Sequence, residues 1–266
     1  MKTLTISLAL GLSACSLLAQ QPTPTLSCDG QHGDSRRANF CEMRESTAAA
    51  AGGVISVDAH PNGGIAVKGW DRADVLVRAQ VRTTANSDAE ARDLARQVTV
   101  NTTGAQMRAD GPTSDRDRSW SVSFEVFVPT RSSANMQTVN GGVSVSDVTG
   151  EIEFKTVNGG VKLKGVAGNV HGRTTNGGVS IELTGNRWEG QGMDVATTNG
   201  GVQLKVPQNF SAQLEMETTH GGLQSDLPVV SPASTGQERH VSATIGSGGP
   251  VLHFRTVNGG VSIKRL

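Results

Sequence analysis

The sequence predicts an all-β fold, a β-solenoid or prism-like stack of coils of roughly 18–23 residues with one short α-helix. An octet of the form Thr-Val-Asn-Gly-Gly-Val-Ser-Val recurs through residues 138–263, and the runs between its copies alternate apolar with polar residues. Such repeats are typical of stacked coils, and alternation is typical of strands. The 33 glycines and the 3% of aromatic residues indicate many corners and a thin core.

The repeat predicts both the strands and the corners. Asn140, Asn158 and Asn176 lie 18 residues apart, and the spacing then widens to 23 and 21 residues. In the run before a corner, the parity of Ile152 and Phe154 places both side chains on a buried face. The predicted structural corners are Asn140, Gly141, Gly142, Asn158, Gly159, Gly160, Asn176, Gly177, Gly178, Asn199, Gly200, Gly201, Asn258, Gly259 and Gly260.

The turn residues leave a second topology open. Asn-Gly between alternating runs is also typical of a hairpin, so an antiparallel β-meander or sandwich is the alternative. We favour the stack because whole units recur at nearly constant length, and stacking unit on unit places Asn over Asn and apolar over apolar. We expect the corner residues to need positive φ, which Asn and Gly tolerate.

The N-terminus has the build of an export signal over residues 1–19. One Lys precedes an apolar run that is too short to cross a bilayer as a mature helix. Residues 12–15 resemble the bacterial lipobox, with Cys15 as the lipidated residue, whereas cleavage after Ala19 would give an ordinary secreted protein. Both outcomes predict an exported protein in the periplasm, the outer envelope or at the cell surface.

Residues 20–52 are predicted to be a linker and a disulfide-closed loop, and residues 53–266 the β-repeat domain. Cys28 and Cys41 flank a short polar loop, and in an exported chain such a pair is best explained by a disulfide. The bond would contribute about 3 kcal/mol in the chain-entropy model and would pin the start of the folded region.

The first half of the β domain is less regular. The repeat begins in diluted form at Asn62, which precedes two glycines. Ser87 as N-cap and Glu90 completing a capping box predict the helix, whose apolar stripe should lie against the sheet. Residues 119–129 alternate strictly and are predicted to form the best-buried strand.

Two insertions interrupt the second half. Residues 185–191, which contain Trp188, are predicted to be a loop that extends one corner. Residues 225–244 separate the fifth copy from the last, and Pro228 and Pro232 make part of this segment an irregular excursion.

The serial Asn-Gly-Gly units, the 119–129 strand and the Cys-Glu-Met-Arg-Glu-Ser segment at residues 41–46 together resemble the DUF4097 family. This is a family of bacterial envelope proteins, also called Toastrack domains and labelled as candidate adhesins. The resemblance covers the chain from about Cys41 onward. It implies an exported β-solenoid-like domain used for surface association or envelope sensing, and it transfers no catalytic signature.

The residues give little support to catalysis or ion binding. Calcium-binding coils need an Asp in each unit, but Val-Ser-Val or Val-Lys-Leu follows the glycines here. The six histidines form no metal-binding motif, and His171 and His253 are expected to point outward. The net charge of zero gives no reason to invoke nucleic acid. We therefore predict a non-enzymatic protein with no catalytic residue, cofactor or metal.

A polysaccharide lyase or hydrolase on a β-helical scaffold is the alternative function. Hydrolysis needs two carboxylates across the scissile bond. Glu151 and Glu153 share a strand face, and Asp147 lies near them in the chain. Their equivalents in the next repeat include Asn169 and His171, so stacking does not preserve acidity.

A binding module fits the repeat better. Ser144, Lys162, Ser180, Gln203 and Ser262 occupy equivalent positions and would form one wall of repeated polar groups. Many weak contacts along such a wall give avidity to a shallow surface, although ordinary solvation also explains these residues. The predicted partner is an envelope polysaccharide or another envelope protein. Nucleic acid is not expected, and the membrane would be contacted only through an N-terminal lipid anchor.

Overall fold

The computed structural model describes residues 22–29, 37–50, 52–227, 233–235 and 238–266. The predicted export signal with Cys15 lies outside the described residues, as do Pro228 and Pro232 of the second insertion. No helix in the described part of the chain is long and apolar enough to cross a membrane.

Two sheets and one helix, α1 (Asp88–Gln97), build the fold within these residues. The strands, numbered in chain order, fall into what we call a front sheet and a back sheet. The front sheet contains β1 (Ala38–Ala49), β3 (Ile65–Trp70), β4 (Asp74–Ala85), β7 (Ser119–Pro129), β9 (Val143–Ser146), β11 (Val161–Lys164), β13 (Val179–Glu182), β15 (Val202–Val206), β17 (Leu223–Ser225) and β21 (Val261–Arg265). The back sheet contains β2 (Val54–Asp58), β5 (Thr99–Asn101), β6 (Gln106–Asp110), β8 (Ser133–Asn140), β10 (Thr149–Asn158), β12 (Ala167–Asn176), β14 (Gly192–Asn199), β16 (Ala212–His220), β18 (Ala233–Thr235), β19 (Glu238–Ile245) and β20 (Val251–Asn258).

The repeat forms stacked coils, which confirms the predicted class. β10 pairs in parallel with β12, with Asn158 beside Asn176, and β11 pairs in parallel with β13, with Val161 beside Val179. Each Asn-Gly-Gly corner therefore carries the chain from the back sheet to the front sheet and does not fold it into a hairpin. The antiparallel meander is wrong for the coils, although antiparallel pairs extend both ends of the stack.

The stack order departs from the chain order at its C-terminal end. In the back sheet β20 lies between β14 and β16, and in the front sheet β21 lies between β15 and β17. The last copy of the repeat is therefore inserted between the fourth and the fifth. The other edge of β16 pairs with β19. The end of the interruption at 225–244, of which only a part was predicted to be irregular, is therefore strand.

The N-terminal end of the stack begins earlier than residue 53. The coil predicted at Asn62 is present, since the side-chain amide of Asn140 donates to Asn62 Oδ1 at 2.8 Å. β1 pairs along its whole length with β4, so residues 38–49 belong to the front sheet and are not a linker. The predicted disulfide between Cys28 and Cys41 is present and ties the segment before β1 to this strand.

The helix forms where the capping box predicts it. The backbone N–H of Glu90 donates to the hydroxyl of Ser87 at 3.3 Å, which satisfies a donor at the helix N-terminus. Ala91, Leu94 and Ala95 are buried, and the helix lies against β4 and β1.

The core lies between the sheets and follows the predicted parity. Ile152 and Phe154 are fully buried, whereas Glu151 and Glu153 on the same strand are exposed. Strand β7 buries its alternating side chains as predicted, namely Trp120, Val122, Phe124, Val126 and Val128. The loop at 185–191 is also present, and it places Trp188 in the core.

The Asn-Gly-Gly corners need glycine for a reason other than the one predicted. Positive φ occurs at Asp147 and Gly165, in the shorter corners between front and back strands, and not at the Asn-Gly-Gly residues of the predicted corners. A Cβ on Gly159 would lie 1.9 Å from the carbonyl oxygen of Gly141. Close approach of stacked backbones, and not positive φ, therefore excludes a side chain at the first corner glycine.

Candidate functional site

The five polar residues predicted to form one wall lie side by side on the front sheet. Strands β9, β11, β13, β15 and β21 are adjacent and parallel. Their register aligns Ser144, Lys162, Ser180, Gln203 and Ser262 in one row. The residues on either side of each point into the core, so this row faces outward. Adjacent strands are about 4.8 Å apart, and the row therefore presents a polar group at that interval.

A groove follows this row along the outer face of the front sheet. Its volume is about 840 Å³. Six coils contribute the second glycine of their corner and residues that follow it, as in Gly160, Val161 and Lys162. Leu26, from the segment before β1, lines the groove where it meets β7.

The second corner glycines keep the groove free of side chains. At Gly160 and Gly178 an added Cβ would lie 3.5 and 3.4 Å from the nearest heavy atom, which is ordinary van der Waals contact. Neither residue has positive φ. The corner itself therefore tolerates a methyl group at these positions, whereas the groove would become shallower.

A short segment, residues 22–29, crosses the front sheet at one end of the groove, and we call it the strap. The carbonyl of Thr23 accepts a hydrogen bond from Lys68 of β3 at 2.8 Å, and the carbonyl of Leu26 accepts one from Arg78 of β4 at 3.1 Å. Beyond Leu26 the disulfide joins the strap to β1. The strap therefore runs across the strands, in the same direction as the groove. It covers the outer face of the front sheet beyond the end of the groove.

A buried carboxylate fixes the strap. Glu125 is 0% exposed; it pairs with Lys68 and Arg78, each at 2.7 Å, and accepts hydrogen bonds from the backbone N–H and hydroxyl of Thr25. Burial alone would raise the pKa of Glu125, but the hydrogen bonds from Lys68, Thr25 and Arg78 outweigh it and lower the pKa to about 2. The sequence does not reveal this cluster, since Glu125 occupies an outward strand position and its cover lies 100 residues away.

The groove is nearly neutral. Lys162 is the one charged side chain among its described lining residues. Further along the strands, Lys164 pairs with Glu182 at 3.0 Å, and Lys205 approaches the same carboxylate at 3.7 Å. The hydrogen bond between Lys164 and Glu182 raises the pKa of the lysine and lowers that of the glutamate.

The family model Toastrack DUF4097 matches residues 95–264. This chain belongs to the Toastrack DUF4097 family. The match confirms the resemblance seen in the repeat, and it includes every coil from β8 onward. The strap, β1, β3 and β4 lie outside the matched residues of this Toastrack protein.

Several solved structures resemble the Toastrack chain at low identity. A candidate cell adhesion protein from Clostridium sporogenes matches with a TM-score of 0.46 and 8% identity, covering 85% of this chain and 100% of that one. A candidate adhesin from Bacteroides fragilis matches with a TM-score of 0.41 and 11% identity, covering 85% and 97%. A candidate lipid-binding protein from Parabacteroides distasonis has a TM-score of 0.30 and 12% identity, covering 85% and 96%. Among curated proteins no match is found.

The carboxylates of the enzymatic alternative lie away from the groove of the Toastrack domain. Glu151 and Glu153 are exposed on the outer face of the back sheet, and Glu153 accepts a hydrogen bond from Asn135 at 2.8 Å. Asp147 occupies the corner between β9 and β10 with φ of 57°. None of the three lines the groove.

The back sheet of the Toastrack domain carries a mixed row of charges. His253 lies between Asp194 at 3.6 Å and Glu217 at 3.5 Å, and Arg255 pairs with Asp194 at 3.3 Å. His171 and His253 lie on the outer face of this sheet, as predicted. Within the described residues, no group of three or more His, Cys, Asp or Glu side chains is arranged to hold a metal ion.

Proposed function

We propose that this Toastrack chain is an exported, non-enzymatic envelope protein that binds an extended polysaccharide along the front-sheet groove, as an adhesin-like module. The row of polar side chains beside glycines that lack side chains carries this proposal. The row offers hydrogen-bonding groups at a constant interval, and the glycines leave space for a chain to lie against the backbone. Many weak contacts of this kind add up through avidity.

The interval favours a glycan over a peptide. Ser144, Lys162 and Ser180 repeat with the strand spacing of about 4.8 Å. An extended peptide rises about 3.3 Å per residue and alternates its side chains, so its groups would fall out of step with the row. A linear glycan has a repeating unit close to the strand spacing. The strap is a peptide that lies on the same sheet. Long side chains such as Arg78 bind it, and the periodic row of polar residues does not.

The proposed location is outside the cytoplasm. A disulfide between Cys28 and Cys41 is typical of exported proteins, because reducing conditions in the cytosol oppose it. The export signal predicted over residues 1–19 would direct the chain to the same compartment. Lipidation of Cys15 would anchor the domain to a membrane, and cleavage after Ala19 would release it.

Retention assays with a groove-filling variant test this function. The purified domain is incubated with envelope fractions and with a panel of polysaccharides, and retained protein and released oligosaccharide are measured together. We expect saturable retention without product, and loss of retention in Ser180→Phe. Phe is well tolerated in strands, and at residue 180 it would project into the groove. Ser242→Phe, on the outer face of the back sheet, is the matched control and should bind normally.

Other outcomes would replace this function. Release of oligosaccharide would favour the lyase or hydrolase and direct attention to Asp147, Glu151 and Glu153. Retention by envelope protein, with no retention by any polysaccharide, would change the partner class. Equal retention of the Ser180→Phe variant and the wild type would move the binding site away from the groove.

A further inference from the structure

We propose that the glycan in the groove is acidic, and that Lys162 pairs with one of its anionic groups, a carboxylate, sulfate or phosphate. This inference rests on the proposed function, since it concerns the ligand of the same groove. It follows from the position of one unpaired cation in a neutral groove.

Lys162 lies in the middle of the groove without a charge partner. It is on β11, with Ser144 of β9 on one side and Ser180 of β13 on the other. It is exposed, and the ion pairs among the described residues do not include it. The side chains on either side of it in the row, Ser144 and Ser180, are short and uncharged, so neither of them neutralises its ammonium group. The groove therefore presents a positive charge to whatever lies in it.

The strand interior is an unusual place for this lysine. Lysine is depleted in strands, and where it protects a sheet it does so on an exposed edge. β11 has strands on both sides and is not an edge. The side chain of Lys162 projects into solvent, so the packing of the sheet does not require a lysine at this position. Recognition of an anion would give this lysine a role beyond solvation.

A second row of outward-facing residues, two positions further along each strand, adds to the positive electrostatic potential beside the groove. Lys164, Lys205 and Lys264 occupy equivalent positions in this row, and Glu182 is the acid among them. Lys164 and Lys205 share the carboxylate of Glu182, which leaves Lys264 outside the ion pairs of the described residues. One side of the groove is therefore net positive, which attracts a polyanion along its length.

Polygalacturonate and its methyl ester are suitable probes, because they share one backbone and differ in charge. Binding of the disulfide-intact protein to each is measured at low and high salt, together with retention on envelope fractions. The variants are Lys162→Gln, which removes the charge, and Lys162→Arg, which retains it. Lys155→Gln, an exposed lysine on the back sheet, is the matched control. Thermal melting confirms that each variant is folded.

We expect the wild type to bind polygalacturonate and not the ester, with binding that weakens as salt rises. Lys162→Gln should bind about tenfold more weakly, the size of one charge-assisted hydrogen bond at a part-exposed site. Lys162→Arg should restore binding, and Lys155→Gln should leave it unchanged. The same ranking is expected on envelope fractions.

Two results would overturn the inference. Equal binding of ester and acid would do so, as would equal retention of Lys162→Gln and wild type on envelope fractions, even if polygalacturonate itself is not a ligand. In both cases the groove function survives if Ser180→Phe still abolishes retention. Failure of the wild type to be retained on any envelope fraction or glycan would instead remove the proposed function.

Discussion

At the scale of single residues, each corner is a small hydrogen-bonded unit. The buried hydroxyl of Thr156 donates to the carbonyl of Gly141 in the adjacent coil at 2.9 Å, and Thr174 repeats this contact with Gly159. Outside the corner, the amide of Asn158 donates to Asn140 Oδ1 at 2.8 Å. Threonine, asparagine and the first glycine therefore recur together, because each of them takes part in a hydrogen bond with the adjacent coil.

Two neighbouring glycines should respond differently to the same substitution. Gly159→Ala should lower the free energy of unfolding by about 1–3 kcal/mol or more, because its Cβ would meet a backbone carbonyl that cannot move independently. Gly160→Ala should change it by less than about 1 kcal/mol, since its Cβ has ordinary contacts. Chemical denaturation of both variants measures this difference. Equal destabilisation of the two variants would show that the close approach of stacked backbones is not what excludes a side chain at residue 159.

At the scale of elements, the strap depends on Glu125. The carboxylate joins three elements, because it pairs with Lys68 on β3 and Arg78 on β4 while it accepts hydrogen bonds from Thr25 in the strap. A buried charge is tolerated here since both cations and the strap satisfy it. The position of Leu26 at the end of the groove therefore depends on the ion pairs and hydrogen bonds of Glu125.

Replacement of Glu125 by Gln should lower the free energy of unfolding at pH 7 by up to about 3 kcal/mol, given a pKa shift from 4.5 to about 2. The pKa is lower in the folded state, so this stabilisation is complete above pH 4.5 and is lost as the pH falls toward 2. The difference between wild type and variant should shrink over that window in denaturation experiments. Glu151→Gln, at an exposed position, is the control. A pH-independent difference would contradict this role.

At the scale of the whole molecule, the C-terminal coil completes the stack from within. β20 and β21 separate the fourth copy of the repeat from the fifth in both sheets. β20 supplies the partner for the facing edges of both β14 and β16, and its removal would leave a gap between them. Both sheets are therefore continuous only when β20 and β21 occupy the gap between the fourth and fifth copies.

Deletion of residues 249–266 should prevent native folding. It removes the buried side chains of Leu252, Phe254, Val261 and Ile263. At about 1.5–3 kcal/mol each, their burial contributes at least about 6 kcal/mol, which is comparable to the whole stability of a typical domain. Circular dichroism and thermal melting measure the effect.

A synthetic peptide of residues 249–266 should restore cooperative melting of the truncated chain, because it can fill the gap in trans. The same peptide with Phe254→Ala is the control and should restore it poorly, since Phe254 is fully buried. A truncated chain that melts like the full one would show that the inserted coil is dispensable.

The sequence by itself determined the coil. The alternation of Ile152 and Phe154 with exposed acids, the N-cap at Ser87, and the regular Asn-Gly-Gly corners are local patterns, and the structure has each of them. The row from Ser144 to Ser262 was also predictable, because residues at one repeat position must align once coils stack in register.

Only the tertiary structure decided the order of the coils, the cover of Glu125 and the reason for the corner glycines. Every coil presents nearly the same edge, so the repeat cannot specify which coil lies beside which, and the last one enters between β14 and β16. The strap meets Glu125 across 100 residues, a distance over which no local pattern operates. The approach of Gly159 to Gly141 is likewise a contact between coils, whereas the prediction of positive φ considered one corner alone.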